Sequence, residues 1–306
     1  MPVVRKAYPA DVELALPLLR QFKHSSFTDK DWRKLFVLYW PCEEKHVGYL
    51  MLENEQTIGY MGTFFSERLV NGEKKKFCGL SSWIVDENYR QHSLLMLVTI
   101  LNELKAYTIT NFTPIPEADT IFRKLRWEYF EEGIWWVKAG GSTRNVRVEE
   151  VNEDNATTLS DADRNIYNAH KQFKADHLLV TVNEQKIYVV LRTYTMSLHR
   201  FVTAKWITYP NALWHKLTGR SLLHRPRQLH RLVYCSDYGS LNRVAAALTD
   251  HYGKKNEQGI FIDARFVSKQ LPNSLYCPII KLLYKPNGVA PQNIDALYTE
   301  AFILNH

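Results

Sequence analysis

Between Gln185 and Ser236 the chain runs for 52 residues without an Asp or Glu while carrying nine Lys or Arg. Five of these, Lys216, Arg220, Arg225, Arg227 and Arg231, crowd into residues 215–231 together with His215, His224 and His230. Such a run concentrates positive potential, and arginine grips phosphate through two parallel hydrogen bonds. The chemistry suits an anionic ligand, for example a phosphorylated or nucleotide-linked molecule. With Trp206, Tyr209, Leu213, Trp214, Leu217, Leu222 and Leu223 interleaved, it also suits an interfacial helix on an anionic membrane surface. Nucleic acid fits less well, because no recognised binding module accompanies the run and a pI near 9.1 is only modestly basic. A solvated basic loop is the plain alternative. The three histidines lack ligand spacing with carboxylates or cysteines, and Cys42, Cys78, Cys235 and Cys277 form no CxxC pair, so neither a metal site nor a disulfide framework is expected.

The elements that must position such groups come from apolar spacing. At 306 residues, 45% hydrophobic and 23% charged, the chain has ample core for about two domains and too much apolar material for a disordered one. The longest near-continuous apolar stretch, Leu94 to Leu101, falls far short of the roughly 20 residues that cross a bilayer. The start, Met1-Pro2-Val3-Val4-Arg5-Lys6, resembles neither a secretory nor a transit segment, so a cytoplasmic protein is expected. Its net charge of +7 is uneven, with 19 Lys/Arg against 18 Asp/Glu in residues 1–145 and 20 against 14 thereafter.

An internal repeat organises the chain. Leu52-Glu53-Asn54-Glu55-Gln56-Thr57-Ile58 is echoed by Thr181-Val182-Asn183-Glu184-Gln185-Lys186-Ile187, both reading as hairpins with a polar turn. Downstream of each comes strand, helix, strand: 79–85, 91–104 and 106–112 in the first half, and 232–235, 241–252 and 260–263 in the second. The helix over 91–104 has Leu94, Leu97, Val98, Leu101 and Leu104 at helical spacing. The second copy is longer by 21 residues, an insertion falling near 195–231. Asn71-Gly72 is a strong tight-turn signal, so strands 47–53, 58–65 and 79–85 should form an antiparallel meander. A helix over 117–125 and a hairpin over 128–137 follow. The adjacent glycines of Ala139-Gly140-Gly141-Ser142-Thr143-Arg144 suggest a boundary between domains 1–143 and 144–306.

At Ser82-Trp83-Ile84-Val85-Asp86-Glu87-Asn88-Tyr89-Arg90 the first half resembles the GNAT family of acyl-CoA-dependent N-acyltransferases, namely its fourth strand and the turn into its acyl-CoA helix. Further likeness lies in Ile109-Thr110-Asn111-Phe112 and in Phe122-Arg123-Lys124-Leu125-Arg126-Trp127, where the family usually has Tyr-x-Lys-Leu-Gly-Phe. The resemblance implies an α/β fold of two GNAT-like domains, each a mixed, mostly antiparallel sheet flanked by helices, the second degenerate. It also implies acetyl-CoA or another acyl-CoA as co-substrate and a small-molecule amine or amino sugar as acceptor. In the family, a helix N-terminus offers free N–H groups to pyrophosphate. Arg90, Gln91, His92 and Ser93 would hold it here, with Ile84, Val85, Asn111 and Phe122 along the acyl-CoA path. The family's small residues are replaced by Ser93 and Leu95, and its late-helix Tyr by Phe122. Glu53, Glu67, Asp86 and His92 are the candidate bases. The resemblance leaves room for a non-catalytic module binding an anionic partner, or for an aminoacyl transferase of the Fem type.

Overall fold

Pairs of left-handed residues set the frame of the first unit. Asn54 and Glu55 (φ +48° and +66°) turn β2 (Gly48–Glu53) into β3 (Gln56–Val70), and Asn71 and Gly72 (φ +53° and +82°) turn β3 into β4 (Glu73–Val85). Positive φ at both central positions matches the twist of a two-residue hairpin. The meander therefore forms as expected, with longer strands. The computed structural model describes residues 1–22, 27–138, 146–197, 226–253, 259–267 and 269–304. The expected linker at 139–144 and residues 198–225 of the basic stretch lie outside these.

The chain forms two compact units, Met1–Tyr129 with Leu282–His306, and Phe130–Lys281. The division differs from a boundary at 143/144, because the last segment belongs with the first unit. In that unit the strand order is β1 (Val3–Ala7), β2, β3, β4, β5 (Thr108–Asn111) and then the end of β12 (Ser274–Lys285). All neighbours are antiparallel except β4 and β5, and β12 meets β5 through Leu283↔Asn111 and Lys285↔Ile109. On one face lie α3 (Ser93–Glu103) and α4 (Pro116–Lys124). Met96, Leu97, Ile100, Leu101 and Leu104 pack there against Met51, Ile58, Cys78 and Leu80. The apolar stripe of α3 is rotated from the expected one, leaving Leu94 and Val98 exposed. Both stripes are apolar, so periodicity alone could not choose between them. Helix α1 (Val12–Leu19) packs across β3 and β4, and α2 (Asp29–Lys34) packs on α1.

The second unit repeats the topology. Its order is β7 (Val146–Glu150), β8 (Asp176–Val182), β9 (Gln185–Ser197), β10 (Pro226–Cys235), β11 (Ile260–Asp263) and then β6 (Glu128–Val137), with β10 and β11 parallel and the rest antiparallel. Helix α6 (Leu241–Gly253) buries Leu241, Val244, Ala245 and Leu248 against Val189, Leu191 and Leu232, while α5 (Asp161–His170) is tied to the sheet by Tyr234 donating to Asp163 at 3.0 Å. The expected hairpin over 128–137 is instead the single strand β6, which pairs Trp135 with Ile262 and Trp136 with Phe261. The Glu131 carboxylate takes the N–H groups of Glu132 and Gly133 (2.9 and 3.0 Å), and no residue there adopts the positive φ a tight turn needs. Among the described residues no helix is long and apolar enough to cross a membrane.

Candidate active site

Strand β4 is paired to β3 as far as Val85 but to β5 only over Phe77–Gly79. Between these limits it carries an extra residue: Ser81 faces Gly62 and Ile84 faces Tyr60, so three steps on β4 match two on β3. Ser82 absorbs the mismatch at φ +52°, a left-handed conformation that costs a side-chain-bearing residue roughly 1–2 kcal/mol. A bulge bends and twists its strand. Here it carries β4 beyond its ladder with β5, and the edge of Leu80–Trp83 on that side is outside any strand pairing.

A cavity of about 340 Å³ opens at this edge, within the first unit. Its floor is Leu80, Ser81, Ser82 and Trp83 of β4 with Met61 of β3, and its far side is Asn111, Thr113, Ile115, Ala118 and Phe122 of β5 and α4. A third wall is aromatic. Trp32 of α2 stacks on Phe22 (centroids 5.5 Å) and meets Phe27 edge-on (4.9 Å). Helix α2 holds Trp32 in place through a capping box, in which the Asp31 carboxylate accepts from the Thr28 backbone N–H (3.0 Å) and hydroxyl (2.7 Å). Phe122 packs on Trp127 and Trp83, and the Trp83 indole N–H is buried without an acceptor among the described residues.

Among the described residues the cavity has one ionisable lining residue, Glu300, at the start of α7 (Glu300–Leu304). It is 3% exposed, and one of its oxygens accepts the Thr113 hydroxyl at 2.7 Å. Burial pushes this carboxyl above the usual range, the Thr113 hydrogen bond pulling the other way, and among the described residues no cation is paired with it. Among the described residues no Lys, Arg, His or Tyr lines the cavity. A buried carboxyl that gains a proton readily, facing unpaired strand backbone across an apolar space, is equipped to accept a proton during attack on a carbonyl.

No protein-family model matches the sequence, and neither does any curated protein. Solved structures do. A GCN5-related N-acetyltransferase from Kribbella flavida superposes with a TM-score of 0.56 at 10% identity, over 93% of this chain and 70% of its own. One from Anabaena variabilis gives 0.55 at 8% identity over 93% and 72%, and a conserved protein of unknown function from Enterococcus faecalis gives 0.55 at 11% over the same shares. The chain has the GCN5-related N-acetyltransferase fold.

Within this GNAT fold only Asn111 and Phe122 of the residues expected from sequence line the cavity. Asn111 ends β5, where its side chain accepts the Thr113 N–H at 3.0 Å. Ile84 and Val85 lie beyond the bulge, paired with Tyr60 and Gly59, and Val85 is buried in the core. Asp86 caps the 3-10 turn Glu87–His92 by accepting the Asn88 N–H at 3.0 Å. Arg90 and Gln91 are exposed on that turn, Arg90 3.2 Å from Glu87, and His92 and Ser93 sit where it runs into α3. Leu95, in the family's second small-residue position, is exposed on the first turn of α3. Glu53 ends β2 at the hairpin turn and Glu67 lies along β3, neither in the cavity wall. Sequence reasoning missed Glu300, Trp32 and Ser82. Only Ser82 stood in a segment already singled out, and nothing in residue type marks a bulge there.

Proposed function

We propose that the first unit is an acyl-CoA-dependent N-acyltransferase that takes acetyl-CoA as donor and transfers the acyl group to the primary amine of a small molecule. The observation that carries this reading is Glu300, a buried carboxyl set across the cavity from the bulged edge of β4. The thioester end would lie along Leu80–Trp83, where the unpaired edge offers backbone N–H groups to the carbonyl oxygen as negative charge develops. This lies a few residues before the Ile84 and Val85 amides expected from sequence. The pyrophosphate would sit toward Arg90–Ser93, at the entrance to α3.

An amine enters such a cavity as an ammonium. Burial raises the carboxyl pKa and lowers that of an amine, so proton transfer to Glu300 removes both charges from a low-dielectric space and leaves a neutral nucleophile. The nitrogen then attacks the thioester carbon, a C–N bond forms, the C–S bond breaks, and the second proton shed by the nitrogen goes to the departing sulfur, which leaves as the thiol. With Phe122 in place of the family's Tyr, the hydroxyls of Ser81 and Ser82, which hydrogen-bond to each other at 3.2 Å, are the donors nearest the path of the departing sulfur. We assign the proton-accepting role to Glu300 in preference to Glu53, Asp86 or His92, because it alone of these lines the cavity.

One observation favours the competing reading of a non-catalytic module: Arg90 is held in a surface ion pair with Glu87. Titration calorimetry with acetyl-CoA separates the two. Saturable binding that weakens in Arg90→Glu supports the transferase, whereas no heat of binding at high ligand concentration overturns it.

A further inference from the structure

The polar groups in the cavity wall are already committed to one another. Ser81 and Ser82 share a hydrogen bond at 3.2 Å, the Asn111 side chain is taken by the Thr113 N–H at 3.0 Å, and the Thr113 hydroxyl is taken by Glu300 at 2.7 Å. The rest of the described lining is mostly aromatic and aliphatic, with one carboxyl, the Asn111 amide N–H groups and the edge of β4 as its remaining polar features. A ligand with several hydroxyls would find few partners here, at about 1–3 kcal/mol for each hydroxyl left unpaired. A ligand with a carboxylate or phosphate on its acceptor end would bury an anion in a wall whose described residues hold no cation, beside a carboxyl. Both an amino sugar and an α-amino acid are disfavoured on these grounds.

A single cationic head on an apolar body meets neither penalty. The ammonium gains the Glu300 carboxylate and the faces of the surrounding rings, which attract cations, and desolvation strengthens both interactions. The aromatic wall built from Phe22, Phe27 and Trp32 offers a ring-shaped body edge-to-face and stacked contacts. At about 340 Å³ the space is at the lower end of the roughly 300–1,000 Å³ typical of ligand pockets, so it holds one ring and a short arm beside the end of a thioester.

We infer that this cavity selects an arylalkylamine, a primary ammonium on a short chain bearing one aromatic ring and no anionic group, with Glu300 reading the ammonium and the Trp32 wall reading the ring. This rests on the proposed acyltransferase reading and narrows its acceptor.

The test is titration calorimetry of the full chain with 2-phenylethylamine, 3-phenylpropanoate, glucosamine and acetyl-CoA as separate ligands. The expected result is binding of 2-phenylethylamine, with glucosamine and 3-phenylpropanoate at least tenfold weaker. Glu300→Gln should weaken the amine at least tenfold and leave acetyl-CoA within twofold. Trp32→Leu, which keeps the carboxyl, should weaken 2-phenylethylamine while leaving butylamine unchanged, and serves should Glu300→Gln fail to fold. Equal affinity of the wild-type protein for glucosamine or 3-phenylpropanoate, or undiminished amine binding in Glu300→Gln, overturns the inference. So does decanoyl-CoA binding that excludes 2-phenylethylamine, which would give the apolar wall to a long acyl chain. Acetyl-CoA binding without amine binding sinks this inference alone. Amine binding without acetyl-CoA binding sinks the transferase reading and leaves the cavity's selectivity standing.

Discussion

The two units place different chemistry at the same point of the same topology. In the first, β4 leaves β5 two residues before the bulge at Ser82, and Asn111, the last residue of β5, faces a cavity. In the second, β10 pairs with β11 through Arg231↔Phe261, the register with β9 slips between Leu232 and Tyr234, and the last residue of β11 is Asp263. There the space is closed by ions. Asp263 is 2% exposed, with Arg231 at 2.7 Å on one oxygen and Arg265 at 2.6 Å on the other, and Arg265 also reaches the buried Glu131 at 2.9 Å. A bulged, splayed strand pair is therefore an opening that a sequence can leave to a ligand or fill with its own charges. The first unit leaves a carboxyl without a cation; the second gives its carboxylates arginines. On the proposed reading, ligand chemistry belongs to the first unit, and the ion pairs described in the second are architecture.

The sharpest break between them should come from removing one carboxylate in each. Asp263→Ala takes the carboxylate from Arg231 and leaves buried Arg265 with Glu131 alone, and denaturant titration should show a loss of about 3–5 kcal/mol. Glu300→Gln should cost little or no stability, because its carboxyl is held without a cation, yet slow acyl transfer by about 10²–10⁴-fold in a coupled thiol-release assay. A stable Asp263→Ala protein, or an unaffected rate in Glu300→Gln, would erase the distinction.

Acid should act on the two sites in opposite directions. Burial raises the Glu300 carboxyl, so the folded state keeps that proton to a higher pH than the unfolded chain. Its contribution to stability is present below the ordinary carboxylate range and lost as pH climbs through the raised value. Burial also works to raise Asp263, but the charges and hydrogen bonds of Arg231 and Arg265 outweigh it and lower the pKa. Its contribution is complete above the unfolded value and lost as pH falls through the depressed one. Denaturant midpoints followed from neutral to acid pH should therefore steepen in their decline in Glu300→Gln and flatten in Asp263→Asn. The smallest effect expected is for Asn111→Ala, the topological counterpart of Asp263. Losing its bond to the Thr113 N–H should cost about 1 kcal/mol in the same denaturant measurement.

Local turn chemistry made the frame legible. The Asn-Glu turns at 54–55 and 183–184 all take positive φ, as does Asn71-Gly72, and strand 260–263 falls where the repeated order of strand, helix and strand put it. The resemblance carried by Ser82–Arg90 led to the right fold, and Asn111 and Phe122 to the cavity wall. Glu300 was not legible, because its meaning depends on β12 bringing the chain's last segment to β5, a pairing between residues at 109–111 and 283–285 that no local pattern encodes. The rotation of α3 was equally hidden, since Leu94 and Met96 are equally apolar and only the packed sheet distinguishes them. The division into compact units falls at 129/130 and 281/282, whereas the adjacent glycines at 139–144, which lie outside the described residues, mark a break in sequence pattern.

The return of residues 282–306 to the first unit also sets a timetable. A ribosome makes β1 through α4 early, but the strand that flanks β5 and the residue that faces the cavity emerge only after the whole second unit has been synthesised. The first unit is thus begun before the second and completed after it, and until then it carries an unpaired β5 edge of the kind that invites misassociation. A chain cut before residue 282 has no Glu300 in its cavity, so on the proposed reading competence waits for the segment that follows the second unit, and a chain lacking it is silent instead of partly active.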